Sequence, residues 1–270
     1  MTDSDTADRA RRAYADIMTQ PAADDSSVAV TMLDAVFAGV WQRPGLSRRD
    51  RHFISLACVA AADAETPLQD HVYAALNSGE LTIVEMQEAV LHFAVYGGWP
   101  KASRFSMVVD QQWQRIHRDR GTEVPLAPPL LPLTTPSDPE QRLAVGAQAF
   151  RDINCLEFAP GPDHAFHGAG ILNFVFGEMW LRPGLGMRER RLLTVTCVAF
   201  QDAPYPIVSH VYAALKSRDL SFDEIDELAL HFAAYYGWPK AAHLSRVISE
   251  QKARVAQEWA AEGAGGFVPR

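Results

Sequence analysis

Apolar positions along this chain recur at helical steps and nowhere alternate convincingly as they would in a strand. Met86, Ala89, Val90, Phe93 and Ala94 fall on one face of a helix expected to start at Glu85, and a second helix of the same kind is expected from Glu224. Around Phe53–Ala61 and Leu192–Phe200 the chain is apolar nearly all round, which predicts a central, buried helix in each place. Met32, Val36 and the stretch Ile171–Met179 suggest a further apolar helix ahead of each. Punctuation fits the same reading. Arg43-Pro44-Gly45-Leu46 signals a tight turn, with proline fixing φ and glycine taking positive φ. Ser47 is placed to cap the next helix with Asp50 three residues on, and the second copy carries Gly186 and Glu189 at those places. Pro67 and Pro206 suit a first helical turn, Gly-Trp-Pro closes the helix from Glu85, and Lys101–Trp113 forms another. The fold class expected is all-α.

The pattern occurs twice. With Trp41 laid on Trp180, the segments 41–112 and 180–251 align without a gap and about half of their positions are identical, as a tandem duplication leaves them. Arg43-Pro44-Gly45-Leu46 returns as Arg182-Pro183-Gly184-Leu185, and His71 to Leu76 returns as His210 to Leu215. Two copies are too few for a solenoid, so a compact pair of helical domains is expected: 1–118, a proline-rich extended linker at 119–139, and 140–270.

Composition narrows the function classes. A formal net charge of -8 argues against nucleic acid or an anionic membrane as partner. No apolar stretch is long enough to span a bilayer, and Met1 to Arg12 is too polar for a secretory signal. Three cysteines give no disulfide framework, which points to a reducing cytoplasm.

Four groups of residues could carry chemistry. His71 and His210 follow a helix-opening proline, where the helix dipole disfavours imidazolium and leaves a base; packing against a carbonyl is the alternative. Arg43, Arg49 and Arg51 recur as Arg182, Arg188 and Arg190, and guanidinium groups suit carboxylates; ion pairs to Asp50, Glu189 or a neighbouring subunit are the alternative. Glu85, Glu88, His92 and Tyr96 line one helix face, repeated as Glu224, Glu227, His231 and Tyr235, with the glutamates expected in solvent and the histidine and tyrosine at a pocket or an interface. The second copy alone has Glu178, a carboxyl in an apolar stretch, and the pair His164 and His167, a metal half-site without further ligands nearby. No metal is expected. Phosphate loops and nucleophile elbows are absent, and Cys58 and Cys197 read as core.

Phe176-Gly177-Glu178-Met179-Trp180-Leu181-Arg182-Pro183-Gly184-Leu185, the following Arg188-x-Arg190, the helix from His210 and Tyr235-x-Gly237-Trp238-Pro239-Lys240-Ala241 together resemble the carboxymuconolactone decarboxylase family. The resemblance implies an all-α fold that assembles into rings, here a homotrimer with six repeat units. It also implies a choice between two chemistries. The peroxidatic branch needs a Cys-x-x-Cys pair, and Ala64 with Pro67, and Ala203 with Pro206, stand in its place, so thiol peroxidase activity is rejected. The other branch implies a cofactor-independent decarboxylase acting on a small anionic organic acid or lactone. Carried over, His210 is the acid/base, Glu178 its partner, and Arg182 and Arg188 the carboxylate binders, with His231, Tyr235 and Trp238 as further substrate contacts. The first copy keeps His71, Arg43 and Arg49 without the glutamate and reads as a degenerate half. A noncatalytic binding or scaffold protein is the competing class.

Overall fold

A computed structural model describes residues 3–23, 26–126 and 128–262. Met1 and Thr2 of the polar N-terminal stretch, Ala127 of the linker and the last eight residues of the second predicted domain lie outside the described residues. The first repeat contains α1 (Asp3–Met18), α2 (Ser27–Leu33), a π-helical segment Asp34–Val40, α3 (Arg48–Ala61), α4 (Glu65–Asn77), α5 (Ile83–Gly97) and α6 (Trp99–Asp119). The second contains α7 (Pro139–Asn154), a π-helical segment Phe166–Phe176, a 3₁₀ turn Met179–Leu181, α8 (Met187–Gln201), α9 (Pro204–Lys216), α10 (Phe222–Tyr236) and α11 (Trp238–Ala261). No strand occurs among the described residues, and none of their helices is long and apolar enough to cross a membrane.

Local chemistry explains most boundaries. Ser47 accepts from the Asp50 backbone N–H while the Asp50 carboxylate takes the Ser47 N–H, the reciprocal arrangement that holds the first turn of α3. Thr82 with Glu85 and Ser221 with Glu224 do the same for α5 and α10, which therefore start two residues before the glutamates. Gly98 and Gly237, at φ 88° and 104°, break the chain between α5 and α6 and between α10 and α11. In the turns ahead of α3 and α8 the two glycines serve different ends. Gly184 has φ 96°, as a tight turn demands, but Gly45 does not take positive φ; it is needed because a Cβ there would stand 2.4 Å from Glu227. Pro67 and Pro206 lie inside the first turns of α4 and α9, two residues past the observed starts.

The two repeats interlock. α3 packs on α8 and α10, α5 packs on α8, and one continuous apolar core takes Phe53, Leu56 and Phe93 from the first repeat together with Leu192, Val195 and Phe232 from the second. The linker between α6 and α7 thus joins halves that share an interior. An additional helix covers each flank. α1 carries Tyr14, Ile17 and Met18 toward Phe37 and Trp41 of the π-helical segment and the residue after it, with the Tyr14 and Phe37 rings edge to face at 4.8 Å. α7 lies equivalently on the segment Phe166–Phe176 through Ala149, Phe150 and Ile153. Gly146 permits that contact, since a Cβ there would collide with the Leu172 carbonyl.

Candidate active site

In each repeat three rings stack. Phe176, Trp180 and His210 lie nearly parallel, with centroids 5.9 and 6.0 Å apart, and Phe37, Trp41 and His71 repeat the stack at 6.2 and 6.1 Å. The fourth wall comes from the other repeat. Tyr96 of α5 stands edge-on to His210 at 5.5 Å, and its hydroxyl accepts the Trp180 indole N–H at 2.8 Å. Tyr235 of α10 stands to His71 and Trp41 in the same way. Each histidine therefore sits at a seam between the repeats.

A cavity opens at each seam. Beside His210 it measures about 900 Å³, with Tyr96, Phe150, Phe176, Val198 and Tyr205 among its mostly apolar lining and Arg254 as its one basic side chain. Beside His71 it measures about 320 Å³, is narrowed by Tyr14 and Met18 of α1, and contains Asp70, which Gln20 holds at 2.8 Å. Position 70 corresponds to Ser209, and no carboxylate occurs among the described residues that line the larger cavity.

Burial sets the protonation states. The His210 imidazole is almost wholly enclosed and its Nδ1 has no hydrogen-bond partner. Desolvation pulls its pKa to about 3, and the charge of Arg191 pulls the same way. His71 falls to about 3 by burial, and its Nδ1 is likewise unpartnered. Arg191 lies over the Trp180 ring at 5.1 Å, pairs with Asp219 at 2.9 Å, donates to the Ile153 carbonyl, and keeps one buried guanidinium nitrogen free of any partner. The first repeat has His52 there, itself held neutral by burial. The second seam therefore has an Asp219-paired guanidinium behind its tryptophan where the first has a neutral imidazole, and the first has a carboxylate at its cavity.

The arginines expected to hold a substrate carboxylate are occupied by the protein's own. Arg182 makes a buried two-pronged pair with Glu88, at 2.7 and 2.8 Å, so Glu88 is fully enclosed and not in solvent. Arg43 pairs with Glu227 at the other, more exposed end of this pseudo-symmetry. Arg188 binds Asp50 and Glu224, and Arg49 binds Glu85 and Glu189. All four pin one repeat to the other, because each arginine finds at least one partner across the duplication. Glu178 pairs with Arg142 at 3.2 Å and is not among the residues lining the cavity of His210. Trp238 is largely exposed and borders a separate surface groove with Asp226. His231 is fully buried between Arg51 and Ser55, while Tyr235 lines the smaller cavity. The structure thus brings His210 to a cavity without Glu178, Arg182, Arg188 or Trp238, seats Tyr96 there, which the sequence had placed at a pocket or an interface, and adds Arg254 in the lining with Trp180 and Arg191 stacked behind His210, none of the three assigned from the sequence. Tyr96 and Trp180 were signalled by their identity in both copies; Arg191 and Arg254 were not distinguishable from other surface-type arginines.

Among the described residues no three histidine, cysteine, aspartate or glutamate side chains form a metal-binding group, and the rings of His164 and His167 lie 6.0 Å apart. Cys58 and Cys197 are buried in α3 and α8, where desolvation pushes both thiols up and away from the reactive thiolate.

Residues 28–111 and 167–250 each match the Carboxymuconolactone decarboxylase family. The chain belongs to that family. Over 82 residues, 30% of this chain, it is 40% identical to the nitrosuccinic acid decarboxylase of Metarhizium robertsii, covering 56% of that protein. Over 82 residues it is also 38% identical to the 4-carboxymuconolactone decarboxylase of Acinetobacter baylyi, covering 58% of it. The chain thus matches a little over half the length of each of these relatives. Both family units contribute to each histidine seam, since the stacked rings come from one unit and the tyrosine from the other.

Proposed function

We propose that the cavity beside His210 is the active site of a cofactor-independent decarboxylase, or of an enzyme catalysing a related proton shift, whose substrate is a small carboxylated lactone like 4-carboxymuconolactone. The observation that carries this reading is an uncharged imidazole with an unpartnered Nδ1 in an apolar cavity that has an arginine, Arg254, and no carboxylate among its described lining residues. Names of two relatives, both decarboxylases of small acids, support the reaction class.

Chemistry follows from the electrostatics. Loss of carbon dioxide turns a carboxylate into a neutral molecule and leaves its electron pair on carbon, delocalised toward a neighbouring carbonyl oxygen. Apolar walls favour the neutral product over the charged group. Arg254, whose Nε pairs with Glu258 at 2.9 Å, lines the cavity, and its remaining guanidinium nitrogens take the role first expected of Arg182 and Arg188, holding a substrate carboxylate. An imidazole with a pKa near 3 is unprotonated at neutral pH, so it enters the reaction with a nitrogen free to take a proton. Entry of an anion beside it favours imidazolium, so substrate binding itself loads the proton that the carbon later receives. The seam of His71 serves as the structural half, because Asp70 repels anions and α1 fills the space.

The test is an ultraviolet assay with 4-carboxymuconolactone. His210→Ala should lose on the order of 10²-fold or more in kcat, the usual worth of a proton-transfer group. Equal rates for wild type and variant would reject the role.

A further inference from the structure

The part of the His210 site that comes from the first repeat is a tyrosine whose hydroxyl has only one direction left for its proton. The reasoning starts at Arg190, buried in α8. A guanidinium can only donate, so its contact with His92 Nδ1 at 3.2 Å makes that nitrogen an acceptor. The proton of the neutral His92 ring is then on Nε2, which lies 2.8 Å from the Thr194 hydroxyl and donates to it. Thr194 is fully buried beside Tyr96, and with its oxygen taken by His92 its own proton is directed to the tyrosine oxygen. The Trp180 indole, which can also only donate, reaches the same oxygen at 2.8 Å. Both acceptor positions of the Tyr96 hydroxyl are therefore filled from the protein side, and Tyr96 lines the cavity. The first seam repeats the chain as Arg51, His231, Ser55, Tyr235 and Trp41, which makes the arrangement a property of the duplicated unit.

We propose that the Tyr96 hydroxyl is the donor that the His210 cavity presents to a carbonyl or carboxylate oxygen of its ligand. The inference rests on the reading of this cavity as the ligand site and gives His92 and Thr194 the task of aiming that donor from behind. A hydroxyl that accepts two hydrogen bonds is polarised toward giving its own, and one fixed in direction costs nothing to reorient when charge gathers on the ligand oxygen. It also explains why a polar chain crosses the interior between repeats: an aimed donor in one unit's cavity requires side chains from both.

The test separates an aimed donor from a merely structural tyrosine. Tyr96→Phe removes the hydroxyl and keeps the ring; it lowers thermal stability under either role, so stability is not the readout. Benzoate and toluene are the probes, matched in shape and differing in acceptor oxygens, and binding to the full chain is followed by titration calorimetry. Benzoate affinity should fall about tenfold in Tyr96→Phe while toluene affinity is unchanged, the pattern of one lost hydrogen bond to a charged group. In a crystal soaked with benzoate the Tyr96 oxygen should lie within about 3 Å of a ligand oxygen. Equal losses for both probes, unchanged benzoate binding, or benzoate seated away from Tyr96 would overturn the assignment. If Tyr96→Phe shows this selective loss yet the wild type turns over no 4-carboxymuconolactone, decarboxylation falls and the donor assignment stands.

Discussion

At the scale of single residues, histidine is the unusual component. Of nine in the chain, His52, His71, His92, His210 and His231 are buried, and desolvation is the largest cause lowering the pKa of each. Unfolded histidine titrates near 6.5. Between that pH and the folded values, which are about 3 for His52, His71 and His210, the unfolded chain binds more protons than the folded one. Stability is therefore complete above pH 6.5 and is lost as pH falls toward 3, by up to about 1.4 kcal/mol per pH unit for each such group. Melting curves from pH 7.5 to 4.5 should show a falling Tm below pH 6.5, and replacing His52 with Phe should flatten that fall. A Tm constant over this range would contradict the buried, neutral assignment. The sequence singled out His71 and His210 but had no means of ranking the arginines around them. A guanidinium's partner is a matter of which carboxylate ends up beside it, and spacing along the chain does not say.

At the scale of elements, the helix carrying Glu85, Glu88, His92 and Tyr96 was legible as a helix with one polar stripe, and the stripe's destination was not. Such a stripe normally faces water. Here α5 and α10 turn theirs into the seam between repeats, where the glutamates take arginines, the histidines take hydroxyls and the tyrosines close the cavities. The pair Arg182–Glu88 is the most enclosed of these. Removing one charge from a buried pair strands the other, at a cost of about 3–5 kcal/mol. Glu88→Gln should therefore lower the urea midpoint strongly, whereas Arg43→Gln, at the exposed equivalent pair, should leave it near wild type. Similar midpoints for the two variants would show that Arg182 and Glu88 do not hold the repeats together. The flanking helix α1 was missed because its stretch of sequence is polar overall; among its described side chains Ala10, Ile17 and Met18 are the buried ones, too sparse a face to stand out.

At the scale of the whole molecule, duplication without independence is the main feature. The repeats share one core, and each histidine seam needs both, so the copies have diverged by cavity and not by fold. Ser209 against Asp70 leaves the larger cavity without the carboxylate that the smaller one carries, and Arg191 against His52 exchanges a neutral imidazole for a guanidinium paired with Asp219. Assembly is the remaining question at this scale. Trp99 and Trp238, equivalent in the two repeats, are about two-thirds exposed and each borders an apolar groove, as an interface would require. Light scattering is expected to return three times the mass of one chain, and the mass of a single chain would reject the ring. By itself the sequence determined the helical class, the tandem copies and the family, and put two histidines forward as candidates, because periodicity, caps, proline and repeated motifs act over a few residues and remain visible in one dimension. Only the tertiary structure decided that Arg182 and Arg188 serve the fold, that Tyr96 crosses to the other repeat's cavity and that the second seam is the open one. Those outcomes depend on which side chains meet across long sequence separations, and on how much water their meeting excludes.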